Sequence, residues 1–270
     1  MELIGTFLFV IGCCIGSFIN VVIYRLPLNQ SIVYPSSSCP KCNSKIKWFD
    51  NLPILSWFLL RGKCRVCNKK IAIFYPIIEL CTGLLLFLNL YAHPTIYGKQ
   101  PIQITIFFGC IFIPILLILA ILDFKYLWLP QFLTLGGLVL GITASLYIDF
   151  NNDFYRFNYS INSLIASFIG FAFFYLLSGI GKKIFNKPVL GGGDAKLVAF
   201  LGSWLGIKGL FISIWLGFIS AGIFVTLGLI LKKIKRNQKI PFGFFLALSG
   251  LLVWYFGNEA FLKIIFYKFK

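Results

Sequence analysis

The chain has 270 residues, 59% of them apolar, with a mean hydropathy of +0.89 and a formal net charge of +17. Soluble domains carry roughly 45–50% apolar residues, so a soluble fold around one core is excluded. The positive charge does not point to nucleic acid, because the lysines and arginines gather in short stretches between apolar runs, as in a polytopic membrane protein in contact with the lipid bilayer.

The first apolar window, 3–24, has neither the basic leading region nor the small-residue cleavage site of a signal peptide, so it reads as a retained span. Seven further windows follow at 76–91, 104–122, 131–148, 161–180, 195–206, 210–231 and 241–261. A span needs roughly 17–25 residues, so 195–206 is short, and Gly206 and Gly209 blur its boundary with the next window. The expected fold is an all-α polytopic membrane protein of about eight transmembrane helices. Its domains are a first helix at 1–24, a polar insertion at 25–75 and a helical bundle at 76–270. No internal repeat is apparent.

The insertion holds Cys39-Pro40-Lys41-Cys42 and Cys64-Arg65-Val66-Cys67, two CxxC pairs with 21 residues between them. Four thiolates at this spacing close a tetrahedral Zn²⁺ site. Lys41, Lys45, Lys63 and Arg65 favour thiolate over thiol. Four protein ligands leave no open position, so the metal is structural, and a segment this poor in apolar residues needs such a staple. Two disulfides, or free thiols, are the alternatives. Trp48, Phe49, Leu52, Leu55, Trp57 and Phe58 suggest a hairpin lying at the membrane surface. Cys13, Cys14, Cys81 and Cys110 lie in apolar windows as small hydrophobes.

Only eight acids exist in the chain. Asp123 ends the window 104–122, and Asp194 follows Gly191-Gly192-Gly193 at the head of 195–206. A carboxylate at membrane depth is costly and marks a functional site. Two that meet in a water-lined cavity form a general acid/base pair. Gly191 and Gly193 allow close backbone approach. Asp194 also has the position of a helix N-cap, and Asp123 that of a charge just outside its span. Lys196 either holds a carboxylate or reaches to the interface. Glu79 either caps a helix or pairs with a basic residue. Gly16 is read as helix packing, and His93 as an outer-loop residue without catalytic role.

If the insertion faces the cytoplasm, eight spans place nineteen of the 25 lysines and arginines on that side, as the positive-inside rule requires. Lys99, Arg156, Lys208, Lys263, Lys268 and Lys270 fall outside, while Lys187 and Arg236 fall inside. Asp123 and Asp194 then share the cytoplasmic face.

These residues together resemble the type IV prepilin leader peptidase/N-methyltransferase family, the bacterial branch of the Gly-x-Gly-Asp intramembrane aspartyl proteases. The resemblance runs through Gly16-Ser17-Phe18-Ile19-Asn20, the paired CxxC motifs, Asn51-Leu52-Pro53-Ile54-Leu55-Ser56-Trp57, Leu60-Arg61-Gly62-Lys63-Cys64, Tyr75-Pro76 with Glu79, Asp123 with Leu129-Pro130, Gly191–Asp194 and Pro241-Phe242-Gly243. Gln131 stands where the family usually has Asp or Asn, and Phe244 where proline is common.

The resemblance implies a multi-pass protein of the cytoplasmic (inner) membrane. It implies that Asp123 and Asp194 cleave the short basic leader of type IV prepilins or pseudopilins at the cytoplasmic face. The new terminal amine is then methylated from S-adenosylmethionine, an activity associated with the insertion. The residues binding that donor are not identifiable in the sequence, although the resemblance leaves Glu79 open to donor binding and Gly16 to a place on the methyltransferase surface. A carboxylate-based ion or proton transporter, and a zinc-dependent assembly factor of a pilus or secretion machine, are the competing readings.

Overall fold

The computed structural model describes residues 2–92, 101–152, 158–185, 191–235 and 238–266. His93, Lys99, Arg156, Lys187, Arg236, Lys268 and Lys270, assigned to loops above, lie outside the described residues. The long elements are α1 (Glu2–Arg25), α3 (Phe74–Leu88), α4 (Ile102–Tyr126), α5 (Gln131–Asn152), α6 (Asn158–Phe185), α7 (Gly192–Ile230) and α8 (Phe242–Phe266), with a short α2 (Leu55–Leu59) in the insertion. Seven helices among the described residues are long and apolar enough to cross a membrane.

The chain divides into two compact units, Met1–Leu90 and Tyr91–Lys270. In the first unit α3 packs against α1. Small residues cause this pairing. A Cβ on Gly12 would lie 2.7 Å from the Gly83 Cα, and one on Gly16 2.7 Å from the Glu79 Cα. Without side chains at these points the two backbones approach closely, as in small-residue helix pairs.

In the second unit the core is aromatic. Phe112 of α4 packs at 5.5 Å from Phe200 and 5.1 Å from Trp204 of α7, and at 4.9 Å from Trp254 of α8. The Trp204 Nε1–H donates to the Gly137 carbonyl of α5 at 2.8 Å, which satisfies the one polar atom of a fully buried ring. Asp149, at the end of α5, accepts the backbone N–H groups of Tyr159 and Ser160 and the Ser160 hydroxyl, capping α6.

The windows 195–206 and 210–231 form one continuous element of 39 residues, α7, but its interior is broken at Gly206 (φ 65°, ψ −177°). That conformation is open essentially to glycine alone. The break folds α7 back on itself. Val198 and Leu210, on opposite sides of Gly206, both pack at the same Gly170 of α6. The Ile207 N–H, freed by the break, donates to the Asn162 Oδ1. The two windows are therefore two arms of a helical hairpin, and the short first arm ends at the turn. A second break, at Gly257 (φ 70°, ψ 166°), interrupts α8.

Candidate active site

Asp123 lies in the last turn of α4, closed by Leu127, whose left-handed residue (φ 52°) returns its N–H to the Asp123 carbonyl at 2.9 Å. The Asp123 Oδ2 accepts the backbone N–H of Phe244 at 2.9 Å. That N–H belongs to the first turn of α8, where no intrahelical carbonyl is available. Asp194 lies in the first turn of α7, and its Oδ2 accepts the Gly191 N–H at 3.1 Å. The N-cap position belongs to Gly191, and Asp194 reaches back to it from the third helical residue. Each carboxylate is thus anchored at the positive end of a helix.

Both are buried, at 6% and 9% exposure. They lie close enough for the charge of one to act on the other. The glycines beside them pack on the same side chain, Leu129. A Cβ on Gly193 would lie 3.1 Å from the Leu129 Cβ, and one on Gly243 3.1 Å from the Leu129 Cδ1 and 2.9 Å from the Asp123 Oδ2. Gly192 faces open space. Within the expected glycine run, Gly193 is therefore the position of closest packing. Lys196 is half-buried and makes no ion pair with Asp194. Gly243 and Phe244 clamp Asp123 from some 120 residues away, a role that sequence reading had assigned to neither.

In the first unit the thiols of Cys39, Cys42, Cys64 and Cys67 lie within 4.8 Å of one another, and Cys39 and Cys67 are 3.9 Å apart. A tetrahedral Zn²⁺ site with bonds of about 2.3 Å requires sulfurs about 3.8 Å apart, so the donor set and its spacing fit. No cysteine forms a disulfide among the described residues.

Each knuckle is built alike. The N–H groups of Cys39 and Cys64 bond to the Ser44 and Lys69 carbonyls, and the Asn43 and Asn68 N–H groups return to the Cys39 and Cys64 carbonyls. Asn43 (φ 55°) and Asn68 (φ 56°) supply the left-handed turn, which asparagine tolerates better than most residues. The expectation of no internal repeat is corrected here. Cys-x-x-Cys-Asn-x-Lys-Ile occurs twice, at 39–46 and 64–71. It is visible in the sequence at a scale too short to register as a repeated domain.

Backbone N–H groups of Cys67 and Val66 lower the Cys64 thiol to about 6, within reach of the thiolate a metal needs. Arg65 clamps Asp50 through two bonds of 2.6 and 2.8 Å, which ties the second knuckle to the 48–51 turn and holds the Asp50 carboxyl below its usual range. Trp57 turns inward over Gly62 (φ 65°), while Trp48, Leu55, Phe58 and Leu59 stay exposed.

Residues 10–93 match the Bacterial Peptidase A24 N-terminal domain, and residues 110–226 match the Type IV leader peptidase family. A prepilin leader peptidase/N-methyltransferase of Neisseria gonorrhoeae is 32% identical over 91% of this chain and 88% of its own length. One from Xanthomonas campestris is 30% identical over 92% of this chain and 90% of its own length. A third, from Myxococcus xanthus, is 39% identical over 76% of this chain, which covers 57% of that relative's length. No solved structure gives a significant match.

Proposed function

Because the chain belongs to the prepilin leader peptidase/N-methyltransferase family, we propose that it removes the basic leader from type IV prepilins or pseudopilins and then methylates the exposed amine. It is a multi-pass membrane protein. The cytoplasmic side is assigned to the cysteine insertion and to the two aspartates from the distribution of basic residues.

The observation that carries the peptidase reading is the pairing of Asp123 and Asp194, two buried carboxylates held beside the same Leu129, each anchored through one oxygen to a helix N-terminus. Two carboxyls this placed share a proton more cheaply than they hold two charges. The ionised one takes a proton from water as its oxygen attacks the scissile carbonyl carbon. The protonated one donates to the carbonyl oxygen. The tetrahedral intermediate then expels the amine, which receives a proton from the pair. Gly193 and Gly243, having no side chains, let Leu129 and the Asp123 carboxylate pack closely, while Gly192 leaves open space beside the pair for the extended peptide.

Methylation is assigned to the Met1–Leu90 unit, with the four cysteines holding one structural Zn²⁺. S-adenosylmethionine supplies an electrophilic methyl group on a sulfonium. The order is fixed by chemistry, since the amine to be methylated does not exist before cleavage.

Co-expression with a prepilin, followed by intact-mass analysis of the product, tests the reading. Wild type is expected to give leader loss together with an added methyl group. Asp123→Asn and Asp194→Asn are each expected to leave the leader in place while inserting normally. Full leader removal by either variant would remove the dyad from the mechanism.

A further inference from the structure

Between α1, the knuckles and the start of α3 lies a cavity of about 830 Å³, within the range of small-molecule sites. Its outer part is lined by Tyr24, Asp50 and Trp57, and its inner part by Ser17, Asn20 and Glu79. Ser17 precedes the end of α1 by eight residues, so the cavity extends about 12 Å back along that apolar helix. Glu79 lies five residues into α3.

The setting of Glu79 is unusual. It is buried, at 9% exposure, and makes no ion pair among the described residues. The pairing with a basic residue considered from the sequence is thus not what the fold provides. The carboxylate accepts the Ile54 N–H at 2.7 Å and the Ser17 hydroxyl. Ile54 is itself strained. It has φ 62° and ψ −55°, and the Leu55 N–H closes a three-residue turn on the Pro53 carbonyl at 2.6 Å. A positive-φ γ-turn centred on a β-branched residue is disfavoured and persists only where its surroundings over-determine it. Here the Glu79 bond and the close packing of Gly16 on the Glu79 backbone do so.

The two arginines that line the cavity are committed elsewhere. Arg25 of α1 donates to the Ser31 and Ser36 carbonyls, and Arg65 is paired with Asp50. The other titratable groups on the surrounding elements are Cys13, Cys14 and Tyr24 on α1, Tyr75 and Cys81 on α3, and Tyr34, Cys39, Cys64, Lys41, Lys45, Lys47, Lys69 and Lys70 along the outer cavity. A buried carboxylate without a cation, facing a cavity, is a site for a cationic ligand.

We propose that this cavity is the methyl-transfer chamber and that Glu79, at its inner end, binds and deprotonates the terminal ammonium of the cleaved pilin. The inference rests on the methyltransferase reading above. It locates the amine at the membrane end, where a chain whose first residues are apolar presents it, and leaves the aromatic, water-facing end to the adenosyl group. Glu79 takes one proton from the ammonium. The amine nitrogen then bonds to the methyl carbon as the carbon–sulfur bond breaks, and its electron pair stays on sulfur. A methylammonium and a neutral thioether leave, and Glu79 passes its proton to water.

The test uses purified, zinc-loaded full-length protein, pre-cleaved pilin and S-adenosylmethionine. Glu79→Gln keeps an oxygen for the Ile54 N–H but is not a base. Methyl transfer is expected to fall about 10-fold at pH 7, where roughly a tenth of an α-amine of ordinary pKa is neutral without help, and to recover most of that loss near pH 9, where nearly all of it is. Binding of S-adenosylhomocysteine and cleavage of intact prepilin are expected to stay within about twofold of wild type. A pH-independent loss, or wild-type methylation by Glu79→Gln, would overturn the role of Glu79. A second measurement needs no variant. A pre-cleaved pilin with a photoreactive first residue is expected to crosslink to Ser17, Ile54 or their neighbours, and crosslinks confined to residues beyond 90 would overturn the chamber. No methylation by wild type on the same substrate would instead refute the methyltransferase reading itself.

Discussion

The backbone N–H of Phe244 donates to the Oδ2 of Asp123 at 2.9 Å, across 121 positions of sequence. The residue before it, Gly243, leaves only enough room for that carboxylate. Proline at position 244 would have no N–H to give. Phe244 therefore fixes one carboxyl oxygen of Asp123 by a backbone bond that a proline could not make.

Gly243→Ala is expected to lower leader cleavage at least about 100-fold, because its Cβ would lie 2.9 Å from the Asp123 Oδ2 and displace the carboxylate. Gly192→Ala, with nothing within 4 Å, is expected to stay within about twofold. Initial rates on one prepilin check both. Equal effects would mean that the clamp on Asp123 is irrelevant to the chemistry.

Gly206→Ala is expected to destabilise the protein by about 1–3 kcal/mol, since its φ of 65° with ψ of −177° is open essentially to glycine. Gly222→Ala, which meets nothing within 4 Å, serves as the control. Thermal midpoints in one detergent report the difference, and identical midpoints would argue against a hairpin turn at Gly206.

Metal analysis of purified protein is expected to give about one zinc per chain. Replacing Cys39 with Cys42, or Cys64 with Cys67, by serine should remove it, because each knuckle supplies two of four ligands. Methyl transfer should fall with the metal, and leader cleavage should survive to within about tenfold, since the aspartates lie in the other compact unit. Full zinc content after loss of one knuckle would move the metal elsewhere.

Asp194→Asn is expected to methylate pre-cleaved pilin at close to the wild-type rate while leaving intact prepilin uncut. Radiolabel transfer from S-adenosylmethionine measures the first and a gel shift the second. Loss of both activities in this variant would place them in one site.

Hydropathy and spacing alone determined the apolar windows, the two paired CxxC motifs and the two exceptional aspartates. Each of these depends on a residue and its close neighbours in the chain. Local preference suffices for a helix in lipid and for a CxxC knuckle. Tertiary structure decided the rest. It joined α3 to α1 through Gly12, Gly16 and Gly83, so that Glu79 meets Ile54 and not a lysine. It turned 195–206 and 210–231 into a hairpin around Gly206, and it brought Gly243 and Phe244 to Asp123. These contacts follow from how closely two backbones approach where side chains are missing. A sequence marks such glycines but does not say which helix will fill the space beside them.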